Sequence, residues 1–275
     1  MGRTEKLGVV YMKIAVMGGD GRTPYLCSGL ERRGAEVSRF ALGRGSCASA
    51  RECALGAQAV VLPVPVSRGP GLLNAPLSDF PVPLAEVLAA VPEGAGLFGG
   101  MPPAGLGITD VGAREDYIVE NAAITADAAA AMLMRELGGT VCGKRVAVAG
   151  FGRIGLVLAL RLRALGADVL VLARRSEVRA MARALGLRAG TEPESGADAV
   201  LNTVPARVFT EESLGRAGLY IELASAPGGC SREAALSAGA RYLSGAGLPG
   251  KAAPEAAGEA LCRCLWDMFE ERGYV

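Results

Sequence analysis

Apolar residues in this chain alternate between short continuous runs and longer stretches in which they return every three or four positions. The runs at residues 13–17, 59–62, 146–149, 168–172, 199–203 and 219–223 have the length of buried strands. Shorter ones begin at residues 34, 96 and 241. Between them, residues 23–33, 84–90, 125–137, 154–165 and 177–185 carry the 3.6-residue period of helices. The end of the chain, residues 254–272, reads as one amphipathic helix with Ala257, Leu261, Leu265, Met268 and Phe269 along one side. Strands that alternate with helices throughout predict parallel sheets. The expected fold is α/β, with two Rossmann-like domains and an interdomain cleft. Residues 1–125 plus 252–275 are expected to form the substrate and catalytic domain, and residues 126–251 the cofactor domain.

The polar and glycine positions give one of these units a task. In GKRVAVAGFGRIGLVLALRLRALGADVLVLARRS, residues 143–176, a strand runs into Gly150, Gly152 and Gly155 at the G-x-G-x-x-G spacing. A helix carrying Ile154, Val157, Leu158, Leu162 and Leu165 follows, then a second strand. Gly150 permits a tight turn, Gly152 lets a pyrophosphate approach the backbone, and Gly155 lets helix pack on strand; the helix N-terminus favours the anion. With 39 glycines the spacing alone is weak, and it occurs also at residues 94–99 and 245–250. Only the middle copy lies between a strand and a long helix. Gly150, Phe151, Gly152, Arg153, Ile154 and Gly155 are therefore the expected pyrophosphate turn. The second strand ends in Arg174-Arg175-Ser176, with no carboxylate before Glu177. Two guanidiniums and a hydroxyl suit a 2′-phosphate, which favours NADP(H) over NAD(H); the alternative is a solvated basic turn.

Composition removes several other chemistries. The chain has no histidine, so no imidazole acid, base or ligand operates here. Its seven cysteines form no metal-ligand spacing, and no metal site is expected. They read as reduced thiols of a cytoplasmic protein. Cys262 and Cys264, two apart on the last helix, are expected on different faces. A net charge of +1 gives no basic surface for nucleic acid, and no apolar run has membrane-spanning length. Residues 1–11 read as a polar leader, with Met12 as a plausible true start.

Two loops at expected strand ends stand out in the first half. Gly18 to Arg22 offers backbone N–H groups and a guanidinium fork to an anion, or simply starts a helix. Residues 63–69, Pro-Val-Pro-Val-Ser-Arg-Gly, stop a strand and stiffen the loop after it. Ligands of open α/β sheets gather at such ends.

Several of these stretches together resemble the A-component family of dipicolinate synthases, enzymes of bacterial spore formation. They are KIAVMGGDGR, VVLPVPVSRGPG, REDYIVENAAIT, VAVAGFGRIG, LNTVPARV, ELASAPGG and GLPGKAAPEAAGEAL, in that order over nearly the whole chain. The chain departs from the family pattern at Asn121-Ala122-Ala123-Ile124-Thr125 and at Ala226, where the family tends to carry Asn-Ser-Ile-Pro-Thr and Arg. The resemblance implies NADP-dependent oxidation of dihydrodipicolinate, or of its hydroxy-tetrahydro precursor, to dipicolinate. It also implies the mother-cell cytoplasm as the place of action and, for a partner, the flavoprotein-like B subunit; a homo-oligomer is left open. A dicarboxylate needs cations and donors, for which Arg22, Ser67, Arg68, Asn121 and Thr125 are the candidates. Asn202 and Ser225 are the expected catalytic residues, and Thr203, Val204, Pro205 and Gly228 the expected nicotinamide-side contacts. The rival readings are another imino- or amino-acid dehydrogenase on the same frame and a non-catalytic nucleotide-binding subunit that organises a partner.

Overall fold

The computed structural model describes residues 12–275; the reading of residues 1–11 as a leader lies outside them. The chain divides into two units. One runs to Ile118 and takes in Pro254–Val275, and the other is Val119–Ala253.

In the first unit, β1 (Lys13–Met17), α1 (Thr23–Arg32), β2 (Glu36–Phe40), α2 (Ala50–Ala54), β3 (Ala59–Val61), α3 (Leu84–Ala89), β4 (Gly96–Gly99) and β5 (Thr109–Asp110) follow one another. The strands form a parallel sheet in the order β2-β1-β3-β4-β5. Ile14, Val16, Ala59, Val61 and Phe98 belong to the apolar core on one of its faces, and Ala15, Met17, Val60 and Leu62 to the core on the other. Burial on both faces explains why these strands read as continuous apolar runs. The last helix, α10 (Pro254–Glu271), closes the first core with Leu261, Leu265, Met268 and Phe269. It lies close against α1 because both helices carry glycine at the crossing. A Cβ on Gly258 would come 2.4 Å from the Arg22 carbonyl oxygen, and one on Gly29 would come 2.8 Å from the Cys262 sulfur.

Cys262 and Cys264 leave α10 toward different neighbours, and both directions are buried. Cys262 lies beside Gly29 of α1, and the Cys264 sulfur is 3.8 Å from Asp116 Oδ1. A helix packed on two sides has a buried stripe wide enough to hold both.

α4 (Glu115–Glu136) is longer than its sequence pattern, which predicted a start at Thr125. Tyr117-Ile118-Val119 has the β-branched look of a strand, but Glu115 and Asp116 in the first turn complement the helix dipole. Tyr117 then packs into the first unit's core, while Ala126, Ala129 and Leu133 pack into the second's.

The second unit continues with β6 (Arg145–Ala149), α5 (Arg153–Ala164), β7 (Asp168–Leu172), α6 (Ser176–Ala184), β8 (Arg188–Gly190), β9 (Ala199–Asn202), α7 (Glu211–Leu214), β10 (Leu219–Glu222), α8 (Arg232–Ser237), β11 (Arg241–Ser244) and α9 (Leu248–Ala252). Its parallel sheet runs β11-β10-β9-β6-β7-β8, with β6 and β9 adjacent at the point where the order reverses. Leu165, expected on the buried stripe of α5, is instead its C-cap and half exposed. The short elements β5, β8, α2, α7, α8 and α9 have no counterpart in the sequence pattern.

Candidate functional site

The turn from β6 into α5 has the build its glycines require. Gly150 has φ 88°, a left-handed conformation that favours glycine. A Cβ there would come 2.5 Å from Thr203 Oγ1. On Gly155 a Cβ would lie 2.3 Å from the Gly150 carbonyl oxygen, so this glycine serves the packing of helix on strand. Gly152 differs from both: a Cβ there would meet no atom within 4 Å. Protein packing does not demand that glycine, whereas a ligand approaching the N-terminus of α5 would. Arg153 and Ile154 open that helix, and no side chain caps it.

Beside the turn lies a cavity of about 380 Å³, lined among others by Gly150, Phe151, Leu172, Arg174, Arg175, Thr191, Glu192, Val204, Val208 and Phe209. Five expected cofactor residues thus share one cavity: Gly150, Phe151, Arg174, Arg175 and Val204. Among the described residues Arg174 makes no ion pair, while Arg175 lies 3.5 Å from Glu177. Arg179 fixes this loop by donating to the carbonyl oxygens of Ala173 at 2.8 Å and Arg174 at 2.5 Å. Ser176, the first residue of α6, is exposed and is not part of the lining. Thr191, Glu192, Val208 and Phe209 escaped the sequence reading. The first two follow β8, a three-residue strand too short to leave a periodic signal.

Thr203 donates to the Ala149 carbonyl oxygen at 2.7 Å and sits between Gly150 and Gly155, so its hydroxyl is occupied within the sheet. Asn202 does not fit the expected role of a group touching substrate. It is fully buried, its amide nitrogen donates to Glu222 Oε1 at 2.7 Å and to the Val204 carbonyl oxygen at 2.9 Å, and its Oδ1 accepts from Val204 N. Gly228 is likewise accounted for by packing: at φ 70° its missing Cβ would come 2.6 Å from Glu222 Oε2. Ser225 and Pro205 are exposed on neighbouring loops.

In the first unit, the strand-end loops are knit together differently from expectation. Gly18 N donates to the Phe40 carbonyl oxygen and Gly19 N to that of Asn74, each at 2.9 Å. Arg22 N donates to Asp20 Oδ1. Three of the amides expected to cradle an anion are therefore already engaged. Arg22 itself forms a two-pronged pair with Asp20, Nε to Oδ1 and Nη2 to Oδ2, both at 2.9 Å. It also donates to the Val64 carbonyl oxygen and, at 3.5 Å, to the Tyr117 hydroxyl. Burial pushes the Asp20 carboxyl up, but the hydrogen bonds and charge of Arg22 outweigh it and hold the group below the usual carboxylate range. Burial also raises the Tyr117 phenol, against the pull of Arg22. Arg68 is the more available cation. Its side chain is 51% exposed and stands 4.0 Å from Asp20 Oδ2.

Ser67 spends its hydroxyl on the carbonyl oxygens of Gly69 and Leu72, closing its own loop. Thr125, 6% exposed, donates to the Asn121 carbonyl oxygen at 2.6 Å within α4. The side-chain oxygens of Asn121 and of Asn74 are buried without a hydrogen-bond partner among the described residues. Asn74 had no sequence signal, yet it ties two loops: its amide donates to the Pro65 carbonyl oxygen, and its own carbonyl receives Gly19 N. No group of three or more His, Cys, Asp or Glu that could hold a metal occurs among the described residues.

Known proteins carry the same two parts in the same order. Residues 13–106 match the family model for the N-terminal domain of the dipicolinate synthase A subunit. The chain is similar to the A subunit of dipicolinate synthase. The curated relative of that name from Bacillus subtilis (strain 168) is 28% identical over 244 residues, covering 79% of this chain and 82% of the relative. The crystal structure of the dipicolinate synthase A chain from Bacillus subtilis matches with a TM-score of 0.78 at 27% identity, over 94% of this chain and 96% of that one. Residues 119–220 match the D-isomer specific 2-hydroxyacid dehydrogenase, NAD binding domain. The apo D-lactate dehydrogenase of Escherichia coli shares the fold, with a TM-score of 0.57 at 19% identity over 95% of this chain and 98% of that one. The second unit is a Rossmann-type domain for a nicotinamide dinucleotide, of the type found in 2-hydroxyacid dehydrogenases. No helix among the described residues is long and apolar enough to cross a membrane.

Proposed function

We propose that this protein is the A component of a dipicolinate synthase. It oxidises dihydrodipicolinate, or its hydroxy-tetrahydro precursor, to pyridine-2,6-dicarboxylate with NADP⁺, in the mother-cell cytoplasm and together with a B subunit. The observation that carries this reading is the joining, in one chain, of a dipicolinate synthase N-terminal domain to a nicotinamide-binding domain.

The residues present fit the cofactor. Gly152 leaves open space at the N-terminus of α5, and Arg174 lines the cavity without an ion pair among the described residues. Gly150, Gly152 and the first amides of α5 would hold the pyrophosphate; Arg174, assisted by Arg175 and Ser176, would hold the 2′-phosphate. When bound, the nicotinamide supplies a hydride acceptor.

The protein's share of the reaction is to bind and orient the ring. Oxidation removes a hydride and a proton from the dihydro ring, the hydroxy-tetrahydro precursor losing one water as well; aromatisation makes the step strongly downhill, so positioning matters more than a tuned base. With no histidine in the chain, the proton leaves to water or to a carboxylate, Lys, Tyr or Cys side chain. Arg68 is the first cation for a substrate carboxylate, and the Arg22–Asp20 pair holds the neighbouring loop rigid. Ser225, exposed beside Gly228, remains a candidate contact at the reacting end.

Glu192, in the same cavity as Arg174, is the observation that favours NAD(H) as a second reading of the cofactor, because a carboxylate repels a phosphate. The deciding assay follows dipicolinate by its ultraviolet absorption, with NADP⁺ and NAD⁺ and with and without a B subunit. Dipicolinate formed faster with NADP⁺ is the expected result. No product with either cofactor in the presence of the partner would remove the catalytic reading.

A further inference from the structure

Glu222 ends β10, yet only 6% of it is exposed. Its four hydrogen-bond partners are neutral donors: Asn202 Nδ2 at 2.7 Å and Ala224 N at 2.9 Å to Oε1, and the Tyr220 hydroxyl at 2.9 Å and Gly229 N at 2.8 Å to Oε2. A buried carboxylate is tolerated only when its acceptor sites are filled, so this arrangement constrains every chain segment that supplies a donor.

Two of those segments lead to the cofactor cavity. Asn202 passes the constraint to Val204 by donating to its carbonyl oxygen and accepting from its amide. Gly229 passes it to Val208 and Phe209, whose amides donate to the Gly229 carbonyl oxygen at 3.0 and 3.2 Å. Val204, Val208 and Phe209 form one wall of the 380 Å³ cavity. The Phe209 ring also meets Tyr220 edge-on, with centroids 5.5 Å apart. Close approach of the 228–229 turn depends on glycine: a Cβ on Gly229 would come 2.5 Å from the Tyr220 hydroxyl.

We propose that Glu222 is a positioning residue for the cofactor, a buried carboxylate that fixes the 204–209 wall from both of its ends. The inference rests on the reading of this cavity as the nicotinamide dinucleotide site. It gives Asn202 its role as well, as the link between carboxylate and wall rather than a group in contact with substrate.

The test compares Glu222→Gln and Tyr220→Phe with the parent protein in two measurements. Hydrogen exchange on the ligand-free proteins reads the wall itself. Fluorescence titration with NADPH, and competition by adenosine 2′,5′-bisphosphate, read binding well below each melting temperature. Glu222→Gln keeps the shape but sets an amide N–H₂ against a donor. It should speed exchange across 203–209 and 224–229, leave β6 and β7 protected, and weaken NADPH by roughly tenfold or more. Tyr220→Phe removes a single donor and should act in the same direction by roughly two- to fivefold. A purely stabilising role would lower the melting temperature with dissociation constants unchanged, and that result overturns the inference while leaving the cofactor site intact. Should Glu222→Gln fail to fold, unchanged exchange and affinity in Tyr220→Phe overturn it equally. A parent protein that binds no nicotinamide dinucleotide removes the underlying reading, and the inference falls with it.

Discussion

Arg174 and Arg175 are adjacent in sequence and unequal in surroundings. Arg175 has Glu177 at 3.5 Å, while Arg174 lines the cavity without an ion pair among the described residues. Arg174→Ala is therefore expected to weaken NADPH at least tenfold, since a hydrogen bond to a charged group contributes roughly 1.5–3 kcal/mol, with NADH hardly changed. Arg175→Ala should do less, and Glu192→Gln should tighten NADPH; fluorescence titration of the three variants decides. In the first unit, Arg68→Ala should raise the KM for the substrate more than it lowers kcat, because a carboxylate persists unchanged into the transition state. Steady-state kinetics check this, and an effect on kcat alone would count against it. Asp20 has its folded-state pKa lowered. Its contribution to stability is fully present above the ordinary carboxylate range near about pH 4 and is lost as pH falls through the lower folded value. Asp20→Asn strands a guanidinium that is 12% exposed, at a cost of about 3 kcal/mol near neutral pH. Urea melts between pH 7 and pH 3 should show the parent approaching the variant as the pH drops.

α10 holds its place through two glycines and an apolar stripe. Gly258 meets the backbone of Arg22 and Leu26, which cannot yield as a flexible side chain would. Gly258→Ala should force α10 away from α1 and cost about 1–3 kcal/mol, whereas Gly29→Ala presses on the Cys262 thiol and should cost less. Chemical denaturation of the two variants measures the difference. The tail's amphipathic pattern was legible in sequence because Leu261, Leu265, Met268 and Phe269 repeat at helical spacing. The two glycines were not legible as crossing points, since what they avoid lies at the far end of the chain: Arg22 and Leu26 for Gly258, Cys262 for Gly29. The early start of α4 was not legible for a related reason: Ile118 and Val119 have strand-like side chains, and Tyr117 alone of the three belongs to the first unit's core.

At the scale of the molecule, the first unit needs both ends of the chain, since Pro254–Val275 belongs with the residues up to Ile118. Deleting residues 254–275 would expose the core that Leu261, Leu265, Met268 and Phe269 complete. The expected result is loss of cooperative unfolding in that unit. The second unit, as residues 115–253, should fold alone and bind NADPH within about threefold of the whole chain, its core and cavity being internal to it. Circular dichroism and fluorescence titration of the two fragments test both statements. What the sequence by itself determined follows from local rules. Strands buried on both faces must be apolar runs, helices must repeat every 3.6 residues, and a pyrophosphate turn must have glycine where backbone or ligand comes close. Those rules located both parallel sheets, the Gly150–Gly155 turn and the arginines after β7. Only the tertiary structure decided which polar groups are available. Arg22, Ser67, Thr125, Asn202 and Thr203 look alike as candidates in a string of letters; Asn202 and Thr203 are occupied by Glu222 and Ala149, which only the folded chain brings near, while Arg22, Ser67 and Thr125 turn to partners two to five residues away in their own loop or helix. Glu222 was hidden for the converse reason: a carboxylate closing an apolar strand gives no periodic signal, and its four donors converge only when β9, β10 and the 224–229 loop are assembled.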